Sequence, residues 1–299
     1  MHHFTAHTYR SLSVAGVNDG VWQIFVPRQA LKYDYLMHGL MGLAALHLSH
    51  ETPNESENYL ELSRTHQKAA FASFRHALDE IDKDNCHAVF AFSVMAMVFA
   101  IGTPLPYPVS SNTVVMDKMF VLYEFLHGIS TITEASREWI GDGPFGDFTD
   151  MKNRMKWNDV DDRDQALLKR LHGLNHALLA VVDPCAHAAI KSAIDGLEMT
   201  FRGGEILVLA WLSMCGDHYM TLLRQGQRLA RLVFIHWCIM LNRLDRVWWV
   251  KDNAKVLFED FAVELLGLGK EWSDAVQDVK ARFDESPTSD NKSTEIHPC

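Results

Sequence analysis

The chain is short of positive charge, of paired cysteines and of long oily runs, and each shortage closes off a class of function. Lys and Arg number 28 against 38 Asp and Glu, a formal charge of −10, whereas a protein that grips nucleic acid through its phosphates needs the opposite excess. The five cysteines, at positions 86, 185, 215, 238 and 299, form no CxxC pair. Four of them sit in apolar runs, where a thiol acts as a small hydrophobe, and that usage suits a reducing interior. The most apolar stretch, Ala88 to Ile101, has 14 residues, short of the roughly 20 that a membrane-spanning helix requires. Met1-His2-His3-Phe4-Thr5-Ala6-His7 has no basic segment followed by an apolar core, so no secretory leader is expected and a cytoplasmic or nuclear location is. Gly-rich phosphate loops, a GxSxG elbow and a Cys–His nucleophile pair are also missing, which argues against phosphoryl and acyl transfer.

What the sequence does contain is helical periodicity. Apolar residues recur at three- and four-residue spacing in most windows and alternating runs are scarce, so the fold class expected is all-α. Pro27 opens a stripe of Leu31, Tyr35, Leu36, Leu40, Leu43, Ala44 and Leu46 that reaches Ser49, and 55–81 reads as an amphipathic partner helix. Asp84-Asn85 precedes a segment, 86–101, that is apolar nearly all round and belongs in the middle of a bundle. Three prolines in 104–108 then force an extended loop. Further helices are expected over 117–129, from Asp164 through Leu179, from Pro184 to Gly203, through 205–223, over 228–250 and over 253–268. Together these make a single irregular helical bundle over 1–284 with an internal apolar pocket, a candidate hinge at 141–146 and a frayed polar tail over 285–299.

The chemistry-bearing residues admit a plain and a sharper reading. Sixteen histidines invite metal ligation. His2, His3 and His7 lack an acidic partner close by in sequence, however, and His47/His50 and His172/His176 are merely helically spaced pairs. His87 and His236 stand on apolar helices and read as core or pocket-lining groups. The run Asp159-Val160-Asp161-Asp162-Arg163-Asp164 caps the next helix on the plain reading. On the sharper one, Asp161 and Asp164 share a helix face and hold magnesium for a diphosphate. Arg243, Asp245, Arg246, Lys251 and Asp252 flank Trp248 and Trp249, either as an ion-paired helix end or as the polar rim of an apolar pocket.

The order of several segments resembles a known family. Met1-His2-His3-Phe4-Thr5, Trp22, Val26-Pro27, Ala30 and the run Leu40-Met41-Gly42-Leu43-Ala44-Ala45-Leu46-His47-Leu48 are similar to the opening of the C-terminal regulatory domain of fungal zinc-cluster transcription factors, of the sterol-uptake-regulator type. Asn85 to Ser93 resembles its next helix. Trp211, Asp217, Tyr219, Leu222-Leu223 and Ala230 resemble a later segment, and Trp248-Trp249-Val250-Lys251 followed by Ala254-Lys255-Val256-Leu257 its closing tryptophan pair. The resemblance covers about residues 1–268. Asp252-Asn253 replaces the usual Gly-Trp, Leu229 replaces a proline, and Glu271-Trp272-Ser273-Asp274 replaces an apolar close. The six-cysteine cluster that precedes this region in the family is not in the sequence, so the expectation is a domain without its own reader of DNA bases, acting through a transcription-factor partner or a second copy.

The resemblance implies an all-helical domain holding a small apolar molecule such as a sterol or terpenoid. The lining expected is Phe92, Met95 and Phe99 with Trp211, Met214, Tyr219, Trp237, Met240 and Trp248, with no cofactor. The alternative is an enzyme of fungal secondary metabolism that uses the same cavity to cyclise a polyene or a prenyl diphosphate. There Arg243, Arg246 and Lys251 would hold the diphosphate, and magnesium would sit on Asp161 and Asp164.

Overall fold

The apolar periodicity becomes helix throughout: the structure, a computed structural model, describes residues 1–12, 19–104, 112–149, 157–180 and 183–285, and no strand occurs among them. The expected all-α fold is therefore borne out. The chain divides into two compact units, Met1–Lys156 and Trp157–Cys299. Most of the 104–108 proline loop and the 286–299 part of the expected tail lie outside the described residues.

The first unit contains α1 (His2–Ala6), α2 (Val26–Ala30), α3 (Asp34–Glu51), α4 (Ser56–Asp79), α5 (Cys86–Gly102), α6 (Asn112–Ala135), α7 (Arg137–Gly141) and α8 (Gly146–Thr149). The stripe expected to run unbroken from Pro27 to Ser49 is interrupted. Tyr33 takes an extended conformation (φ −126°, ψ 108°) ahead of α3, and Leu31, placed on the stripe by its spacing, falls in the break and is 78% exposed. Helices α3 and α4 run antiparallel. The Ser63 hydroxyl donates to the Gly42 carbonyl (2.8 Å), while His38 meets His66 and Tyr35 meets Phe74.

Nearly all of α5 is buried, as its all-round apolar pattern dictates. It lies parallel to α3, which meets it through glycines: a Cβ on Gly39 would stand 2.8 Å from the Phe92 ring, and one on Gly42 would stand 3.2 Å from Phe99. The glycine-rich run read as a candidate hinge is a turn between α7 and α8. Its Phe145 is wholly buried, edge-on to Trp22 and against Phe90.

The second unit contains α9 (Asp162–Ala177), α10 (Pro184–Gly203), α11 (Glu205–Arg224), α12 (Arg228–Asn242), α13 (Asn253–Leu266) and α14 (Lys270–Glu285). Each neighbouring pair from α10 to α13 runs antiparallel. Trp211 Nε1 donates to the Ala193 carbonyl, Trp237 Nε1 to that of Val208 and the Tyr219 hydroxyl to that of Ala230. Phe234 of α12 meets Phe261 of α13 at 4.3 Å between ring centres. Gly216 bends α11 with a φ of 75° and ψ of 160°, a backbone that a side chain would strain.

The helix expected over 228–250 stops at Asn242, and tight turns carry the chain to Asp252, the only non-glycine with positive φ (63°) among the described residues. Aspartate is one of the few side chains that tolerate this conformation. The Asp252 backbone N–H donates to Asp245 Oδ1 (2.8 Å), a bond that a glycine here keeps. Asp252→Gly is accordingly expected to stabilise the chain by about 0.5 kcal/mol, as relief of left-handed strain outweighs the added freedom of the unfolded glycine. A urea midpoint unchanged or lowered would contradict this account.

Candidate ligand cavity

Three helical stripes in the first unit border a solvent-open depression of about 400 Å³. Helix α4 contributes Gln67 and Phe71, one turn apart. Helix α5 contributes Ala96, Phe99 and Ala100, and α6 contributes Lys118, Val121 and Phe125, with Thr103 and Pro104 closing one end. The small Ala96 and Ala100 leave the space, and the aromatic rings wall it. Phe71 stacks on Phe125 at 5.9 Å and meets Phe92 edge-on at 5.3 Å. The volume falls within the roughly 300–1,000 Å³ of small-molecule sites.

One polar group dominates this apolar setting. Lys118 Nζ donates to the Thr103 carbonyl at 3.0 Å, and burial lowers its pKa from 10.5 to about 8. The ammonium is still mostly protonated at neutral pH and becomes neutral as the pH rises through 8. An apolar wall with one desolvated cation can hold a largely hydrocarbon molecule by its body and a hydroxyl or carboxylate by its end.

A second depression, about 510 Å³, lies in the other unit between α13 and α14. Its floor is Phe258, Ala262, Val276 and Phe283, and its rim carries Asp245, Asp252, Glu259 and Asp284 with Lys255 and Lys280. Exposed charges of both signs are screened by solvent and neutralise one another, so this groove offers a guest less than the half-buried ammonium of the first.

The residues expected to line one pocket are shared between the units. Phe99 lines the first cavity. Phe92 is buried among Tyr35, Phe71 and Phe74, and Met95 is equally buried. In the second unit Trp211 stacks on Trp237 (5.6 Å, 21°) and meets Tyr219 edge-on, all three buried beside Met240. Met214 is 38% exposed and Trp248 half-buried.

Of the charged candidates, Arg243 and Asp161 gather with Asp164 around Arg282. The buried Asp164 carboxylate accepts from Arg243 Nη2 (3.0 Å) and from Arg282 Nε and Nη2 (2.8 and 3.0 Å). Asp161 caps α9, accepting from the backbone N–H groups of Arg163 and Asp164, and pairs with Arg282. Burial works against the Asp161 charge, but those N–H groups and the guanidinium more than offset it, so its pKa lies below the ordinary 3.8. Arg246 pairs with Glu205, and Lys251 is exposed. The two carboxylates that a magnesium ion would need are thus engaged by arginine and by a helix N-terminus. Of the histidines, His236 is buried with Nδ1 2.6 Å from the Leu232 carbonyl, and burial brings its pKa to about 4. Burial also lowers the pKa of His87. His172 stands 3.9 Å from Asp195.

Sequence reasoning missed Lys118, Phe71 and Phe125. The available signal was a lone lysine in register with Val115, Leu122 and Phe125 on the apolar side of α6.

Comparison with known proteins bears on the first unit most directly. Residues 1–112 match the fungal specific transcription factor domain. The resemblance read from the sequence is borne out, at low identity. The sterol uptake control protein 2 of Candida albicans is 23% identical over 280 residues, which take in 86% of this chain and 38% of that protein. A Zn(2)-C6 fungal-type transcription factor of Gibberella zeae is 22% identical over 274 residues, 85% of this chain and 55% of its own. The Saccharomyces cerevisiae sterol uptake control protein 2 is 29% identical over 98 residues, 32% of this chain and 10% of its own. The chain therefore spans about half or less of the length of these curated relatives. Helices α3, α4 and α5 lie within the matched segment. No described helix is long and apolar enough to cross a membrane.

Proposed function

We propose that the chain is the ligand-holding part of a fungal transcription regulator, binding a small, largely hydrocarbon molecule with one polar end, of the sterol or terpenoid kind. The observation that carries this reading is the ammonium of Lys118 at the edge of the cavity walled by Phe71, Phe99 and Phe125. Two relatives are named for control of sterol uptake, which fits such a guest. In this reading the chain contributes occupancy sensing, DNA recognition belongs to a partner or to another part of the protein, and the site of action is the nucleus or the cytoplasm.

A fluorescent sterol provides the test. Binding is expected to saturate at one per chain, to vanish in Ala100→Trp, which fills the cavity, and to weaken about tenfold in Lys118→Met, the value of one charge-assisted hydrogen bond. The Lys118 contribution is present below pH 8 and lost as the pH rises through it, so the wild type should lose affinity between pH 7 and 9 while the methionine variant does not. Equal binding by wild type and Ala100→Trp would place the guest elsewhere and end the proposal.

A further inference from the structure

Sequence spacing gave the N-terminal histidines no acidic partner; the fold supplies one. Helix α1 lies against α3, and His3 Nε2 comes within 3.4 Å of Glu51 Oε2 and 3.2 Å of His47 Nδ1. His47 and Glu51 are one helical turn apart on α3, with His47 Nε2 at 3.5 Å from Glu51 Oε1. One donor atom from each of His3, His47 and Glu51 lies within 4.8 Å of the others. The His3 Nε2–Glu51 and His47 Nε2–Glu51 separations, 3.4 and 3.5 Å, are slightly above the roughly 3.3 Å edge of a tetrahedron with zinc bonds of about 2.0–2.1 Å.

We infer that His3, His47 and Glu51 form a zinc(II) site that fastens α1 to α3. The donor set is two imidazoles and one carboxylate, which suits a borderline cation in tetrahedral coordination and not the all-oxygen shells of calcium or magnesium. A second feature orients the ligands. Thr8, wholly buried, places its hydroxyl 3.1 Å from His47 Nδ1. With the Nδ1 proton donated to that hydroxyl, Nε2 keeps its lone pair toward Glu51, which is how a supporting group sets the tautomer of a metal-bound histidine. The cluster opens to solvent on the Glu51 side, where the carboxylate is 47% exposed. That opening gives the ion a way in and leaves the fourth position to water. His7 stands nearby, its ring centre 5.2 Å from that of His3. The reading is independent of the ligand cavity, which none of these residues lines.

The experiment uses the untagged full chain, stripped with a chelator and titrated with zinc(II) against a chromophoric competitor. One equivalent is expected to bind and to raise the thermal midpoint by several degrees, because a metal that binds only the folded state stabilises it. Glu51→Gln and His3→Gln each change an accessible or half-accessible group and should fold, as circular dichroism would verify. Each is expected to weaken zinc binding at least tenfold and to remove the thermal shift. His38→Gln, which alters the separate His38–His66 contact, should bind zinc as the wild type does. Failure to take up a stoichiometric ion, or undiminished uptake by Glu51→Gln and His3→Gln, overturns the site and leaves the cluster a hydrogen-bonded joint between two helices.

Discussion

Trp211→Ala is expected to destabilise the chain by about 3–5 kcal/mol, the cost of emptying a large buried aromatic site that neighbours cannot refill. Trp211 has no exposed surface, stacks on Trp237, meets Tyr219 edge-on and ties α11 to α10 through the Ala193 carbonyl. The partners are wide rings fixed by their own hydrogen bonds, Trp237 to Val208 and Tyr219 to Ala230, so they cannot slide into the void. A loss of this size is a large share of the roughly 5–15 kcal/mol that holds an ordinary protein folded. The urea midpoint and the near-ultraviolet dichroism of the tryptophans read it directly. Met214→Ala, three residues on in the same helix but 38% exposed, provides the contrast and should cost no more than about 1 kcal/mol. If the two substitutions cost the same, the Trp211 environment is not the filled core described.

Removing the carboxylate of Asp164 is expected to be nearly as costly. Asp164 has a side chain 3% exposed and receives three hydrogen bonds from Arg243 and Arg282. Asp164→Ala leaves two guanidiniums converging on a site from which their counter-charge has gone. Breaking a buried pair by one partner costs about 3–5 kcal/mol, and the low end applies here because both arginines keep other contacts. Arg282 retains Asp161 and Glu285, while Arg243 lies over the Phe201 ring at 5.6 Å. Chemical denaturation of Asp164→Ala beside Asp164→Asn measures this; a loss under about 1 kcal/mol in the alanine variant would show the cluster to be energetically idle. The neighbouring Asp161 adds a pH dependence of known sign. Its pKa is lowered on folding, so its contribution is complete above the ordinary 3.8 and disappears as the pH falls through the folded value.

The legible parts of this protein were those whose physics is local. Helix α5 is apolar on every side and lies buried on every side. The Asp161 cap and the start of α10 at Pro184 follow from one or two residues acting on their own backbone. The interruption at Leu31 was hidden because periodicity continues across a break of three residues, and the end of α12 at Asn242 because the following segment is just as apolar in turns as in a helix.

By itself, then, the sequence determined an acidic, all-helical chain, most of its helix starts, most of its buried stripes and the resemblance to fungal transcription-factor domains. Tertiary structure alone decided which distant groups meet. Asp164 pairs with Arg282 118 residues away, His3 reaches His47 44 residues away, and Lys118 is desolvated by α4 and α5 as well as by its own helix. The division has one cause. Periodicity and capping act within a turn or two of helix and are written in neighbouring residues, whereas a pocket or an ion cluster forms where helices cross, and the crossing is set by the packing of whole faces.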